Sequence, residues 1–247
     1  MLLIILGGLG FTVIFDLIHE RKFKKLSLHS KLALTVTGVL IFTGTAALYI
    51  LESGNPETIG GLSLYEKLLI SAFQSVSPRT AGFNSIDLAA LTDSSKFLII
   101  LLMFTGGSPA STAGGVKTTT LAVLLLTAAA FVRNKDVEAY GRRINYSVVN
   151  KAMTIVIIAF IIIIAGSMAL SLLNPEMDFV DIVFEVVSAF GTVGLTLGIT
   201  TQFDTASKLV LVIIMFAGRV GALTIVMALA GRTKKVEYQL PEGEVIL

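Results

Sequence analysis

The apolar stretch from Lys96 to Phe131 constrains this chain most, because its middle reads Gly106-Gly107-Ser108-Pro109-Ala110-Ser111-Thr112-Ala113-Gly114-Gly115. As a single helix the stretch would be roughly 54 Å long, far more than the ~30 Å of a bilayer's hydrocarbon core. Glycines at both ends of that middle and a proline inside it will not hold a regular helix. Two helical pieces joined by non-helical backbone are therefore expected. The pieces, Lys96 to Thr105 and Val116 to Phe131, are each short for a full crossing. Irregular backbone at membrane depth is tolerated only when buried in protein or lining a water-filled cavity.

The rest of the chain is written in the same idiom. Of its 247 residues 54% are hydrophobic and 15% charged, against about 25% charged in soluble domains. Its mean hydropathy is +0.86, which excludes intrinsic disorder. With no cysteine, disulfide scaffolds, zinc-thiolate sites and cysteine nucleophiles are excluded too. Lys31 to Leu51, Ala152 to Leu173 and Ser207 to Ala230 read as ordinary spans, the last interrupted by Arg219. Met1 to Ile18 reads as the end of another span rather than as a signal anchor. Basic residues cluster at Arg21, Lys22, Lys24, Lys25 and Lys31, at Arg133, Lys135, Arg142, Arg143 and Lys151, and at Arg232, Lys234 and Lys235. The positive-inside rule puts these clusters on the cytoplasmic side of a plasma membrane. The acid-bearing connections Glu52 to Lys67 and Asn174 to Asp204 then face outward.

The chain also repeats itself. Sliding it onto itself lays Thr80-Ala81-Gly82-Phe83-Asn84 on Thr192-Val193-Gly194-Leu195-Thr196. In the same register, the run from Lys96 to Phe104 falls on Lys208 to Phe216, and Gly106-Gly107 on Gly218-Arg219. Apolar composition alone does not align a Thr-x-Gly, a lysine and a Met-Phe-x-Gly together. Ile4-Ile5-Leu6-Gly7-Gly8 matches the end of a third copy. Each complete copy holds an outgoing span, a short amphipathic segment (Ser63 to Val76; Phe179 to Phe190), a Thr-x-Gly stretch and a returning span. The short segments are too brief to cross and suit re-entrant helices.

This layout predicts an all-α polytopic membrane protein with potassium-channel-like span, pore helix, filter and span repeats, two complete plus the end of a third. The expected units are 1–30 (end of an upstream repeat and linker), 31–135 (first repeat, with a broken second span), 136–231 (second repeat) and 232–247 (cytoplasmic tail). Glycine at positive φ lets extended backbone aim successive carbonyls at one axis. Rings of such carbonyls can replace the hydration shell of K⁺.

Three motifs carry a family resemblance: Phe73 to Asn84 (Phe-Gln-Ser-Val-Ser-Pro-Arg-Thr-Ala-Gly-Phe-Asn), the Gly106 to Thr118 loop, and Gly191-Thr192-Val193-Gly194-Leu195. Together they resemble the Trk/Ktr/HKT superfamily, most nearly its bacterial Ktr-type membrane subunit, across essentially the whole chain. Thr12 stands where the family commonly has proline. The resemblance implies a potassium-translocating subunit with four repeats around one pore. Carbonyls of Thr80, Ala81, Gly82, Phe83 and Asn84, and of Thr192, Val193, Gly194, Leu195 and Thr196, would line two filter quadrants. Gly106, Gly107, Ser108, Ser111, Thr112, Gly114, Gly115 and Lys117 would form a gate loop below the filter, faced by Arg219. The transported ion would be K⁺, with Na⁺ a second candidate, and no organic cofactor is expected. Implied partners are a cytoplasmic nucleotide-binding regulatory ring, a second copy of the full-length subunit and the lipid bilayer; nucleic acid is not among them. Two repeats and a tail surround only half an ion, so the chain is a fragment, a truncated product, or a piece that assembles with missing material.

Single residues carry further expectations. Arg219 lies near mid-span, where charge marks function; it is expected to bond loop carbonyls. Lys117 belongs either to the loop or to the cytoplasmic face. Arg79 ties down the pore helix or repels excess cations, the first being favoured. Asn84 is a filter-mouth hydrogen bonder or a turn residue. Asp87, Asp178, Asp181 and Glu185 read as solvated or helix-N-terminal acids more than as an attracting vestibule. His19 and His29 read as solvated interface residues. The tail is a docking strand or, more commonly for such segments, a loose terminus. An enzyme is not expected: Gly114-Gly115-Val116-Lys117-Thr118 lacks Walker spacing, and Ser108 or Ser111 has only Lys117 as a conceivable base. Parallel copies argue against an inverted-repeat solute transporter.

Overall fold

The computed structural model describes residues 1–221 and Thr224. Helices α1 (Leu2–Leu9) and α2 (Phe11–Glu20) come first, bent 99° at Gly10. A 3-10 turn, Phe23–Lys25, leads into α3 (Leu28–Glu52), α4 (Leu64–Val76), α5 (Asp93–Phe104) and α6 (Thr118–Val132). A two-stranded hairpin, β1 (Glu138–Ala139) and β2 (Arg142–Arg143), precedes α7 (Tyr146–Leu173), α8 (Phe179–Gly191) and α9 (Thr205–Val220). Among the described residues α3 and α7 are long and apolar enough to cross a membrane, with mean hydropathies of 1.9 and 2.9.

Polar side chains set the helix starts. Ser27, Ser63, Thr92, Asn145, Asp178 and Asp204 each accept a first-turn backbone N–H at the N-cap of α3, α4, α5, α7, α8 and α9. Each satisfies a donor that a helix cannot satisfy itself. Ser63 and Glu66 close a reciprocal capping box on α4, the arrangement that fixes a helix entry most firmly.

The element order runs α3, α4 and α5 over the first copy expected from the sequence and α7, α8 and α9 over the second. The structure adds detail to this layout. The stretch Met1 to Ile18 is two helices, because Gly10 takes φ +82 and ψ 151, outside the helical region. Helix α9 ends at Val220, before Gly221 at φ +90 and ψ 136. Beyond Gly221 only Thr224 of the expected last span is described, and the third basic cluster and the tail 232–247 lie outside the described residues. The hairpin is an unforeseen element, turned by Tyr140 at φ +52 and Gly141 at φ +73. Two left-handed central residues are what a tight hairpin turn requires.

The core gathers on the second copy. Phe184, Phe190 and Ile182 of α8 pack with Ile99 and Met103 of α5, Ala159 and Leu170 of α7, and Leu211 and Ile214 of α9. Every residue from Phe184 to Gly191 is buried. Helix α4 differs: it buries Ser71 and Gln74 to Val76 but leaves Leu64 63% and Tyr65 74% exposed.

Candidate functional site: twin Thr-x-Gly strands and the loop between them

Each short helix delivers its C-terminal end to a Thr-x-Gly strand. The two strands share an uncommon backbone. Thr80 has φ +68 and Gly82 φ +72; Thr192 has φ +50 and Gly194 φ +88. Ala81 and Val193, between them, stay at negative φ, since neither is among the residues of positive φ. A β-branched residue in the left-handed region is a true outlier, costing on the order of 1–3 kcal/mol. It occurs twice, at matched threonines, so both strands share one local backbone. Alternating the hand of successive residues turns successive carbonyls toward one side of the strand.

Gly82 and Gly194 also bring the strands together. A Cβ at Gly82 would collide with the Val193 carbonyl oxygen and meet Gly194 Cα at 3.3 Å, whereas one at Gly194 would meet nothing nearer than Gly82 Cα at 3.8 Å. Behind the strands, serines of the short helices hold the next carbonyl. Ser77 donates its hydroxyl to Phe83 O, and Ser188 donates to Leu195 O at 2.6 Å. Those two carbonyls are thus fastened to their own helices. Aligning Phe73-Gln74 and Ser77 with Phe184-Glu185 and Ser188 shifts the helix register by one residue against the strand register. The extra residue is Gly191, which extends α8.

The chain breaks between α5 and α6. Thr105 and Val116 pair in a parallel bridge, with Gly106 N donating to Val116 O at 2.9 Å and Thr118 N to Gly107 O at 3.0 Å. The loop's two ends therefore lie side by side, and its middle projects as a closed flap. On one side Ser108 N donates to Gly8 O at 2.8 Å, and Phe11 N donates to Ala110 O at 3.1 Å. The break at Gly10 makes room for this, since a Cβ there would lie 3.2 Å from Ala110 O and closer still to Pro109 O. On the other side Arg219 of α9 donates to Thr112 O. Within the loop, Lys117 Nζ donates to Ala113 O at 2.5 Å, Ala113 N donates to the Ser111 hydroxyl at 3.3 Å, and the Ser108 and Thr118 hydroxyls pair at 3.0 Å. Gly114 packs on the Thr192 side chain, and a Cβ added at Gly115 would lie 3.3 Å from Gly191 Cα. The loop thus sits at the base of the second strand. Lys117 belongs to the loop rather than to a distant face.

Other candidates fall as follows. Arg79 is buried and donates to the Thr37 hydroxyl at 3.0 Å, a tie from the end of α4 to α3. Asn84 donates to Ile86 O at 3.2 Å, the bond of a turn residue. Asp178 caps α8, Asp87 accepts from Ala89 N, and Asp181 pairs with Lys96 at 2.9 Å. His19 stacks on Phe15, whereas His29 is half-buried with Nε2 lacking a hydrogen-bond partner among the described residues, so it is not a freely solvated side chain. Sequence reasoning missed the role of Glu185, which is buried behind the second strand. Among the described residues no group of three or more His, Cys, Asp or Glu is placed to hold a metal.

Comparison with known proteins adds the following. A family model described as TrkH, cation transport protein, matches residues 1–235. The chain is 43% identical over 244 residues to the Ktr system potassium uptake protein B of Bacillus subtilis, covering 98% of this chain and 54% of that protein. It is 40% identical over 251 residues to the potassium/sodium uptake protein NtpJ of Enterococcus hirae, covering 99% of this chain and 55% of that protein. The crystal structure of the potassium transporter TrkH from Vibrio parahaemolyticus shares the fold, with a TM-score of 0.75, at 19% identity over 92% of this chain and 50% of that one. The chain spans about half the length of the relatives it matches.

Proposed function

The chain belongs to the TrkH family of cation transport proteins, and from that premise we propose that it forms half of a K⁺-translocating pore. The observation that carries the proposal is the twinned backbone, with Thr80 and Gly82 matching Thr192 and Gly194 in their positive φ, and the strands in contact at Gly82. Carbonyls of Thr80 to Gly82 and Thr192 to Gly194 would form two quadrants of a filter in which they replace water around K⁺. The other two quadrants would come from the remaining length seen in the relatives. The loop from Gly106 to Lys117, tethered by Arg219, would close the path at the filter's base. Na⁺ is a second transported ion in this reading, which the potassium/sodium relative supports. The basic ends of the helices would face the cytoplasm, where a nucleotide-binding regulatory ring and a second full-length copy would assemble.

A second reading, a non-conducting fragment that acts only by assembling with partner chains, is favoured by the exposed apolar face of α4. Rb⁺ uptake with Na⁺ competition separates the two, measured in proteoliposomes on this chain alone and within the complete four-repeat assembly. Uptake is expected only in the assembly. There Gly82→Ala should lose K⁺ preference more than Gly194→Ala. Both carry the left-handed penalty of about 1–2 kcal/mol, but only the Gly82 methyl strikes the opposite strand. Unchanged preference in both variants would remove the filter assignment.

A further inference from the structure

Glu185 is 5% exposed and no ion pair among the described residues includes it. A buried carboxylate without a cation is costly unless hydrogen bonds saturate it. Here three donors do so, and all come from the chain just past the second Thr-x-Gly strand. Oε1 accepts the Thr196 hydroxyl at 2.6 Å and Leu197 N at 2.9 Å; Oε2 accepts the Thr200 hydroxyl at 2.7 Å. Thr196 Oγ1 in turn accepts Gly198 N at 2.9 Å. One helical turn along α8, on the same face, Ser188 holds Leu195 O. A single helix face thereby grips Leu195, Thr196, Leu197 and Thr200.

The first copy lacks this grip. Ser77 holds Phe83 O as Ser188 holds Leu195 O, but Gln74 occupies the place of Glu185. Gln74 is 1% exposed and neither its Oε1 nor its Nε2 has a partner among the described residues. The strand after Gly82 turns on itself through Asn84 instead.

We propose that Glu185 is a positioning residue for ion selection, fixing the carbonyls of Thr192 to Gly194 by strapping the segment that follows them to α8. The inference rests on the filter reading above. A rigid second strand beside a less restrained first one makes K⁺ over Na⁺ preference depend unequally on the two quadrants. A carboxylate suits this task because it accepts from three donors at once, which a glutamine amide cannot do.

The test is Rb⁺ uptake with Na⁺ competition by the complete assembly, comparing wild type, Glu185→Gln, Thr200→Val and Glu52→Gln. Glu52 is an equally saturated buried carboxylate, but its partners are Asn55, Thr58 and Thr92 at the far end of α3. Glu185→Gln should lower K⁺ over Na⁺ preference about tenfold, the scale of one charged hydrogen bond. Thr200→Val, which keeps the charge and removes one strap, should lower it less, and Glu52→Gln should leave it alone. The inference is overturned if both strap variants keep wild-type preference. It is also overturned if only Glu185→Gln changes, which would make charge the cause, or if Glu52→Gln falls as far, which would make loosening general. Should Glu185→Gln fail to fold, Thr200→Val decides alone. A wild-type assembly without selective uptake fails the filter reading itself, an outcome distinct from any of these.

Discussion

Replacing Arg219 by alanine should raise the rate of ion flow without changing which ion flows. The Arg219 guanidinium bonds the carbonyl of Thr112 at the tip of the loop. A hydrogen bond to a charged group contributes on the order of 1.5–3 kcal/mol. Arg219 is exposed, so water competes for it and the lower end applies. About 1.4 kcal/mol is a factor of about ten in a closed-to-open equilibrium. The loop's other ties survive the change: Ser108 to Gly8, Ala110 to Phe11, and the Thr105–Val116 bridge. Only the tie from the loop to α9 is lost, so the helices should melt as before. Initial Rb⁺ uptake by the complete assembly, normalised to folded protein, should rise several-fold and up to about tenfold. Arg219→Lys should fall between, because an ammonium keeps the charge but loses the planar fork. Unchanged or slower uptake in folded Arg219→Ala, or a K⁺ over Na⁺ ratio that moves with the rate, would refute the reasoning.

Backbone geometry and capping give three stability predictions. Gly218→Ala should lower the thermal midpoint markedly, because its Cβ would overlap the Phe190 carbonyl oxygen and force α8 from α9; overpacking of this kind costs about 1–3 kcal/mol or more. Gly38→Ala, with nothing within 4 Å of the new methyl, should instead hold or raise the midpoint in the same melting experiment, a helix-interior gain of about 0.5–1 kcal/mol. Asp204 caps α9 through Ser207 N at 2.7 Å, and bonds from Ser207 hold its carboxyl below the usual carboxylate range. Its contribution is therefore complete above that range and lost as pH falls through the lowered value. Melts taken in increasing acid should show the wild type losing stability relative to Asp204→Asn, which has no charge to lose.

How much of this was legible in the sequence depended on whether the signal was periodic, punctuated or singular. The spans α3 and α7 followed from hydropathy, and the N-cap serines, threonines and aspartates stood where helix starts are written. The break between α5 and α6 was legible because glycine and proline punctuate it. The break at Gly10 was not, because one glycine inside an apolar run reads as a tolerated residue. A signal existed: Gly7-Gly8-Leu9-Gly10 and Gly218-Arg219-Val220-Gly221 place a glycine at the same distance past the matched pair, and both Gly10 and Gly221 take positive φ. The hairpin of Glu138 to Arg143 was hidden by its brevity and charge, with Tyr140-Gly141 its sole turn signal. Glu185 was hidden more deeply. It is one acid among several in segments expected to face outward, and nothing in its spacing distinguishes the one that turns inward.

The loop's two anchors carry the argument one step further. Gly8 belongs to the copy that ends in α1, and Arg219 to the copy that ends in α9; the loop between them belongs to the intervening copy. In a ring of four repeats taken in chain order, the copies before and after the loop's own face each other across the axis. A segment bonded to both would cross that axis, and its contact with Thr192 would put the crossing against the base of the proposed filter strand. An ion leaving the proposed filter would then have to displace the loop, whatever the filter selects. Tethers such as Arg219 would set how often the path opens, and straps such as Glu185 would set which ion fits, so the two should mutate independently because no hydrogen bond among the described residues joins them.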